Sequence, residues 1–397
     1  MKAPRQTATK GHHLRIAKFS HRSGGASVPR RPTARSFRGG GEHTTASGAS
    51  AAEFDISYRG TVNLDSKRAV LPVLDSEQDQ LLAHALQIDG RAPFRRIAEV
   101  LGVSDQTVAR RYARLRSAGS LRVVGLTDPL RLGEVPWFVR VRCAPNAAVA
   151  IGEALARRAD TTWVSLTSGG TEISCLVRPR AGSGGDALLL EKLPKTPRVV
   201  DVSAHCLLHV FFGQDLSLLT KSGPLTAEQV AALRPANAPD SLLSDPAPAP
   251  AYPLDEADGR LLDLLARDGR AAAGELAAAT GWSPTTVRRR MTELREAGVL
   301  YFDLDYDLRV LQRNFRAALW LNIEPSEIEA AGAALAAHPE VSFAAATTGD
   351  FNVYAGITAH DAGAFYHYLT GPVAALPGIL GTSTSPIHRA FKGAGPL

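Results

Sequence analysis

Cysteine is nearly missing from this chain: three in 397 residues, Cys143, Cys175 and Cys206, far apart and in no metal-binding spacing. A disulfide framework and a cysteine-built metal centre are thereby excluded, and a reducing compartment is implied. Acidic residues are absent from the first 41 positions, which hold ten Lys or Arg. The remaining 356 residues carry 35 basic against 39 acidic side chains, so any nucleic-acid footprint must be a local patch. No apolar run approaches the ~20 residues of a membrane span. The N-terminus has no apolar segment of the kind a secretory signal needs. There is no P-loop, no G-x-S-x-G elbow and no catalytic cysteine pair. No catalytic residue, no metal and no cofactor is therefore expected, and the chain is expected in the cytoplasm. Lysine is scarce too, 8 of 45 basic residues, which fits a GC-rich genome and carries no functional weight.

What is present is length and apolar content, 397 residues at 45% hydrophobic. That allows roughly two to four domains. Residues 1–69 are rich in Arg, Ser, Gly and Thr and poor in aliphatics, so they cannot offset the entropy of ordering and read as a disordered basic tail. An arm on DNA phosphate, an organelle transit peptide and a misplaced start codon stay open as alternatives. Residues 214–253 contain PANAPDSLLSDPAPAPAYP and read as a Pro/Ala linker, with a short helix over 226–233.

The chain repeats itself. GVSDQTVARRYARLRSAG at 102–119 aligns with GWSPTTVRRRMTELREAG at 281–298 at an offset of 179, and DGRA at 89–92 aligns with DGRA at 268–271. A period near 180 is too long for a solenoid, so each copy should hold whole domains. Each copy begins with three short helices. Asp75 and Asp255 are the expected first caps, Ser104 and Ser283 cap the third helices, and Pro284 follows at the first helical position. Gly102 and Gly281 occupy the turn between helices two and three, the pattern of a helix-turn-helix.

On the third helices Val108, Tyr112 and Leu115, and Val287, Met291 and Leu294, form one apolar stripe per copy. The outward residues are candidate DNA contacts: Ser104, Gln106, Thr107, Arg110 and Arg111 in copy 1, and Ser283, Thr285, Thr286, Arg288 and Arg289 in copy 2. A capped helix presents such side chains and its N–H groups to a major groove. Arg111 and Arg290 lie nearer the core edge, where an internal ion pair is the other reading. The copies differ on this face, Gln106 against Thr285, Ala109 against Arg288 and Arg114 against Glu293, which predicts an operator with unlike halves.

Strips at 121–126 and 300–306 follow the helices. Each copy then gives strand, helix, strand, strand, helix, strand, over 134–213 and 314–392. That order predicts an α+β chain: two three-helix, winged helix-turn-helix domains (70–126 and 254–306) alternating with two ferredoxin-like βαββαβ domains. The open face of each sheet needs a cover, most simply the other copy's sheet. His205 and His209 should share a strand face ~13 Å apart, too far for one metal.

The three-helix unit with DGR before helix two, then G-x-S-x-x-T-V-x-R-R, L-x-x-x-G-x-L and a βαββαβ domain, resembles the leucine-responsive/asparagine regulator (Lrp/AsnC) family of transcription factors. The resemblance covers 74–213 and 254–392. It implies double-stranded DNA as partner, small-effector sensing, often of amino acids, and assembly. This chain looks like two protomers fused into an internal pseudo-dimer, and a homo-oligomer of pseudo-dimers is expected. The family's ligand hairpin is matched by Thr348-Gly349-Asp350-Phe351-Asn352, with Asn at the usual Asp. Ser168-Gly169-Gly170-Thr171-Glu172 lacks the aromatic, so sensing is expected in copy 2, with a plain hairpin turn as the other reading. Sirohaem decarboxylases resemble the same family. The histidine expected of them beside the second strand is missing from Ser165-Leu166-Thr167-Ser168 and from Ser342-Phe343-Ala344-Ala345. An enzyme of that kind and a non-DNA ligand-binding module are the alternatives.

Overall fold

The computed structural model describes residues 76–144, 146–178, 188–235, 251–306 and 313–396. The expected tail, 1–69, and part of the expected linker, 236–250, lie outside them. In copy 1 the order is α1 (Glu77–Ile88), α2 (Phe94–Leu101), α3 (Asp105–Ser117) and β1 (Leu121–Thr127). The first cap is Ser76 rather than Asp75: its side chain accepts from Asp79 N. β2 (Trp137–Cys143), α4 (Ala148–Ala156), β3 (Thr161–Thr167), β4 (Glu172–Val177) and β5 (Val199–Phe212) follow. The helix expected near 186–193 is a single π turn, Leu188–Lys192.

Two short helices come next, α5 (Leu218–Ser222) and α6 (Ala227–Leu233). They correct the expected linker, because 214–235 is built into the body. Leu219, Leu225 and Leu233 are buried with the helical domains. Arg96 donates to the carbonyls of Ala232 and Arg234, and Gln229 to that of Val100. Lys221 Nζ donates to the carbonyls of His338 and Val341, each at 2.9 Å, tying this segment to copy 2.

Copy 2 repeats the plan: α7 (Glu256–Arg267), α8 (Ala273–Thr280), α9 (Pro284–Glu296), β6 (Leu300–Tyr306), β7 (Phe315–Ile323), α10 (Ile328–Ala337), β8 (Val341–Thr347), β9 (Val353–Ala359), α11 (Ala362–Tyr368) and β10 (Ile379–Ala390). Asp255 caps α7 in a reciprocal capping box with Asp258. α11 gives way to a π turn over Leu369–Val373, where Pro372 offers no N–H to continue the α-helical ladder.

β1 and β6 pair with each other, antiparallel, from Leu121↔Tyr306 to Thr127↔Leu300. Val124 faces Asp303, its own equivalent in the repeat, so a pseudo-two-fold axis passes through the middle of this ribbon. One core runs under both three-helix units, including Leu86, Ile97, Leu115, Leu265, Leu276 and Leu294.

The other eight strands close into a barrel, in the order β10-β3-β4-β2-β5-β8-β9-β7. Each copy supplies a four-stranded βαββαβ sheet. The long last strands β5 and β10 pair with their own sheet first, then cross to the second strand of the other copy. The two sheets are thus joined at their edges as well as facing one another. Phe138, Leu207, Val210, Ala318, Trp320 and Ala345 form the core between them. The helices lie on the outer faces over separate cores. A bulge between Leu207 and His209 shifts the alternation of β5. His205 therefore stacks on Trp320 at 5.0 Å and His209 on Phe211 at 4.7 Å, so the expected shared face does not form.

Candidate nucleic-acid interface and effector hairpin

Each recognition helix is set by its cap. Ser104 Oγ accepts from Thr107 N and Ser283 Oγ from Thr286 N, both at 3.1 Å. The hydroxyls of Thr107 and Thr286 pair with the same serines at 2.8 and 2.9 Å. The stripe residues Val108, Tyr112, Leu115, Val287, Met291 and Leu294 are buried. The helix is thereby fixed in rotation, and Gln106, Arg110, Thr285, Arg288 and Arg289 are exposed.

Charge pairing then sorts the arginines. Arg111 donates to Asp79 Oδ1 at 3.1 Å and to Ser76 Oγ at 3.2 Å, and Arg114 binds the other oxygen of the same carboxylate. Arg111 is therefore corrected from a groove contact to an internal one. Arg290 grips Asp258 with two 2.7 Å bonds and also reaches Tyr252 and Glu293. Burial works against the Asp258 carboxylate, yet the Arg290 hydrogen bonds and charge hold it below the usual range, and Arg290 rises in turn. Arg289 reaches back to Glu293 at 2.7 Å from an exposed position.

The repeated DGR acquires a purpose that spacing alone did not give. Asp89 and Asp268 accept from the backbone N–H of the arginine two residues on. Arg91 crosses to the carbonyls of Gly269 and Ala271 at 2.6 and 3.1 Å; Arg270 crosses back to those of Gly90 and Ala92 at 2.7 and 3.0 Å. Gly90 and Gly269 lie directly on the ribbon: a Cβ at Gly90 would meet Val123 and Phe302 at 2.9 Å, and one at Gly269 would meet Val123 at 2.8 Å. The reciprocal clasp and the β1–β6 ribbon present the two recognition helices as a two-fold pair. Sequence reasoning missed this pairing. The signal was the exact recurrence of DGRA, which no single three-helix unit requires.

The copy 2 hairpin is tied to copy 1. Thr348 N–H donates to the Cys206 carbonyl, Cys206 N–H donates to Thr348 Oγ1 at 2.9 Å, and His205 Nδ1 lies 2.8 Å from the Thr348 carbonyl. The Asn352 amide closes the end of β7, accepting from Ile323 N–H at 2.9 Å and donating to its carbonyl at 2.7 Å. The Thr348 hydroxyl and the Asn352 amide are thus engaged within the fold. Gly349 sits at φ +103° against His205, Asp350 is exposed, and Phe351 is half-buried beside the inter-sheet core. The copy 1 hairpin is anchored differently: Gly169 N–H donates to His388 at 2.9 Å, and Glu172 is gripped by Arg140 through two 3.0 Å bonds.

Paired, capped helix-turn-helix units above joined ferredoxin-like sheets define a DNA-binding regulator with built-in effector domains. The AsnC-type helix-turn-helix domain matches residues 76–116 and 254–295, and the Lrp/AsnC ligand binding domain matches 316–397. The chain thus carries the AsnC-type helix-turn-helix twice and the Lrp/AsnC ligand binding domain in copy 2. HTH-type transcriptional regulator FL11 of Pyrococcus horikoshii is 28% identical over 141 residues, 35% of this chain and 93% of that protein. Regulatory protein AsnC of Escherichia coli K12 is 26% identical over 149 residues, 36% of this chain and 97% of that protein. Among solved structures, siroheme decarboxylase NirDL with an iron-uroporphyrin III analogue aligns over 81% of this chain and 93% of its own, at a TM-score of 0.55 and 13% identity. At that identity the likeness is one of fold alone.

Proposed function

We propose that this chain is a cytoplasmic transcriptional regulator that binds one operator with both recognition helices, as an internal pseudo-dimer, and answers to a small effector such as an amino acid. The observation that carries the reading is the two-fold presentation of two capped helices by one ribbon and one arginine clasp, with polar faces turned outward. Two-fold helix-turn-helix pairs engage successive major-groove turns, ~34 Å apart. Ser104, Gln106, Thr107, Arg110, Ser283, Thr285, Thr286, Arg288 and Arg289 make up the contact set of this reading, with the two serine caps and their threonines facing phosphate. The effector is held beside Gly349, Asp350 and Phe351. Pseudo-dimers assembling into a larger homo-oligomer are part of the same reading and are measured by light scattering.

The test is selection of bound fragments from randomised duplex DNA by the full chain at about 150 mM salt, where non-specific phosphate binding is weakened. A motif of two blocks about one DNA turn apart supports the reading. Salt-sensitive bulk binding without a motif ends it. For the effector, amino acids are screened singly by thermal shift, and Asp350→Ala is expected to weaken the response. A response that Asp350→Ala leaves intact and a change at Gly170 removes would place sensing in copy 1 instead.

A tetrapyrrole enzyme is the second reading, favoured by the NirDL fold match across both copies. Two observations weigh against it. Phe138, Trp320, Phe343 and Tyr354 pack against one another between the sheets, with ring centroids 4.3 to 6.1 Å apart. No histidine stands in the runs 165–168 or 342–345. Appearance of a saturable Soret shift on titrating an iron porphyrin would revive it.

A further inference from the structure

Eight arginines lie on the recognition helices, at 110, 111, 114 and 116 in copy 1 and at 288, 289, 290 and 295 in copy 2. Six are engaged. Arg111 and Arg114 bind Asp79, Arg116 binds Asp268, Arg289 and Arg290 bind Glu293 and Asp258, and Arg295 lies over the Phe302 ring. Among the described residues, one guanidinium per copy has no such partner: Arg110 and Arg288. They are not equivalent in the repeat. Arg110 aligns with Arg289, and Arg288 aligns with Ala109, so the two free cations are displaced by one residue, about 100° of rotation and 1.5 Å of rise. The position that follows the cap by two also differs. Gln106 is exposed with no side-chain partner among the described residues, and its counterpart is Thr285.

We propose that the two helices read different bases with non-equivalent residues, Gln106 taking an adenine in one half-site and Arg288 a guanine in the other. This rests on the regulator reading above and names what its sites recognise. The Gln106 amide presents a donor and an acceptor side by side, the match for adenine N6 and N7 in the major groove. The Arg288 fork presents two parallel donors, the match for guanine O6 and N7. Thr285 is too short to bridge a base edge, and Ala109 has no donor. Each copy therefore lacks the reader the other possesses. Arg110 and Arg289 are the same residue at the same repeat position, so they differ in engagement, Arg289 being paired with Glu293, and not in residue type. The operator is consequently not a palindrome, and the pseudo-symmetric protein sits on it in a single orientation.

The experiment is the same duplex selection run with full-length wild type, Gln106→Ala, Arg288→Ala, and the double change Gln106→Thr with Ala109→Arg, which gives copy 1 the residues of copy 2 at the two proposed reading positions. Melting curves confirm that each variant is folded. Wild type is expected to yield an adenine-containing block and a guanine-containing block. Each single change should relax one position in one block, with discrimination falling about tenfold or more. The double change should make the two blocks alike. A palindromic wild-type motif, or single changes that weaken both blocks equally, would overturn the assignment while leaving the regulator standing. Absence of any motif removes both.

Discussion

Asp79 and Asp258 occupy the same place in the two copies, and each lies buried under recognition-helix arginines. Gln106 and Thr285 also share a place, and there the chemistry differs. The same split runs through the molecule. The caps Ser104 and Ser283, the buried stripes and the crossing Arg91 and Arg270 are kept in both copies: the caps and stripes seat each recognition helix, and the arginines hold one half to the other. Positions 106/285 and 109/288 on the outer helix faces, and the hairpins after β3 and β8, have diverged. A duplicated chain needs its internal contacts to stay matched, while its two outer faces are free to specialise.

The sharpest way to break that comparison is at the buried carboxylates. Asp258→Ala leaves Arg290 without its main partner and should cost about 3–5 kcal/mol. Asp79→Ala should cost roughly 1 kcal/mol less, because Arg111 and Arg114 are 30% and 46% exposed against 22% for Arg290 and reach water more easily. Urea midpoints check this, and a larger loss at Asp79 would show that the two units are not built alike. The hairpins come next. A Cβ at Gly349 would lie 2.5 Å from His205 Nδ1, whereas at Gly169, φ +69°, it meets nothing within 4 Å. Gly349→Ala should cost about 2–3 kcal/mol and Gly169→Ala about 1 kcal/mol, seen as unequal falls in melting temperature. Equal falls would mean that His205 yields and does not brace the copy 2 hairpin.

At the ribbon centre the difference is one of charge, Val124 facing Asp303. Burial pushes the Asp303 carboxyl up to about 7 against hydrogen bonds from Leu304 N–H and Gln87, and Asp305 and Asp215 add to the rise. The folded chain keeps this proton up to about 7 while the unfolded chain releases it near 3.8, so this group costs stability as pH climbs through that window. Asp303→Asn should match wild type near pH 4 and be the more stable at about pH 8, with a flatter stability–pH slope between. Identical slopes would show that the site ionises freely. The smallest effect is at the caps. Ser104→Ala and Ser283→Ala should each cost about 1 kcal/mol, and equally, because the two geometries coincide.

Much of this was legible in the sequence because it is periodic or local. The stripes at 108, 112 and 115 and at 287, 291 and 294 fix how each recognition helix turns, and a serine three residues before a threonine announces its own hydrogen bond. The strand–helix order gave the ferredoxin-like halves for the same reason. What stayed hidden is long-range. Nothing local says that β1 pairs with β6, that β5 and β10 cross between sheets, or that Arg91 and Arg270 exchange partners 178 to 180 residues apart. Composition misled at 214–235, where Leu219, Leu225 and Leu233 bury a segment that reads as linker beside the proline run. A bulge in β5 likewise defeated simple alternation at His205 and His209.

The clasp of Arg91 and Arg270 joins two halves of one polypeptide rather than two molecules. A regulator built from separate subunits must first find its twin, and at low abundance much of it stands idle as single subunits. Here the encounter is intramolecular and its strength does not depend on how many copies the cell contains. Pairing of the two recognition helices should thus be complete at any amount of protein made. The halves also cannot be exchanged for those of a related single-copy regulator in the same cell, so the specialised pair always stays together.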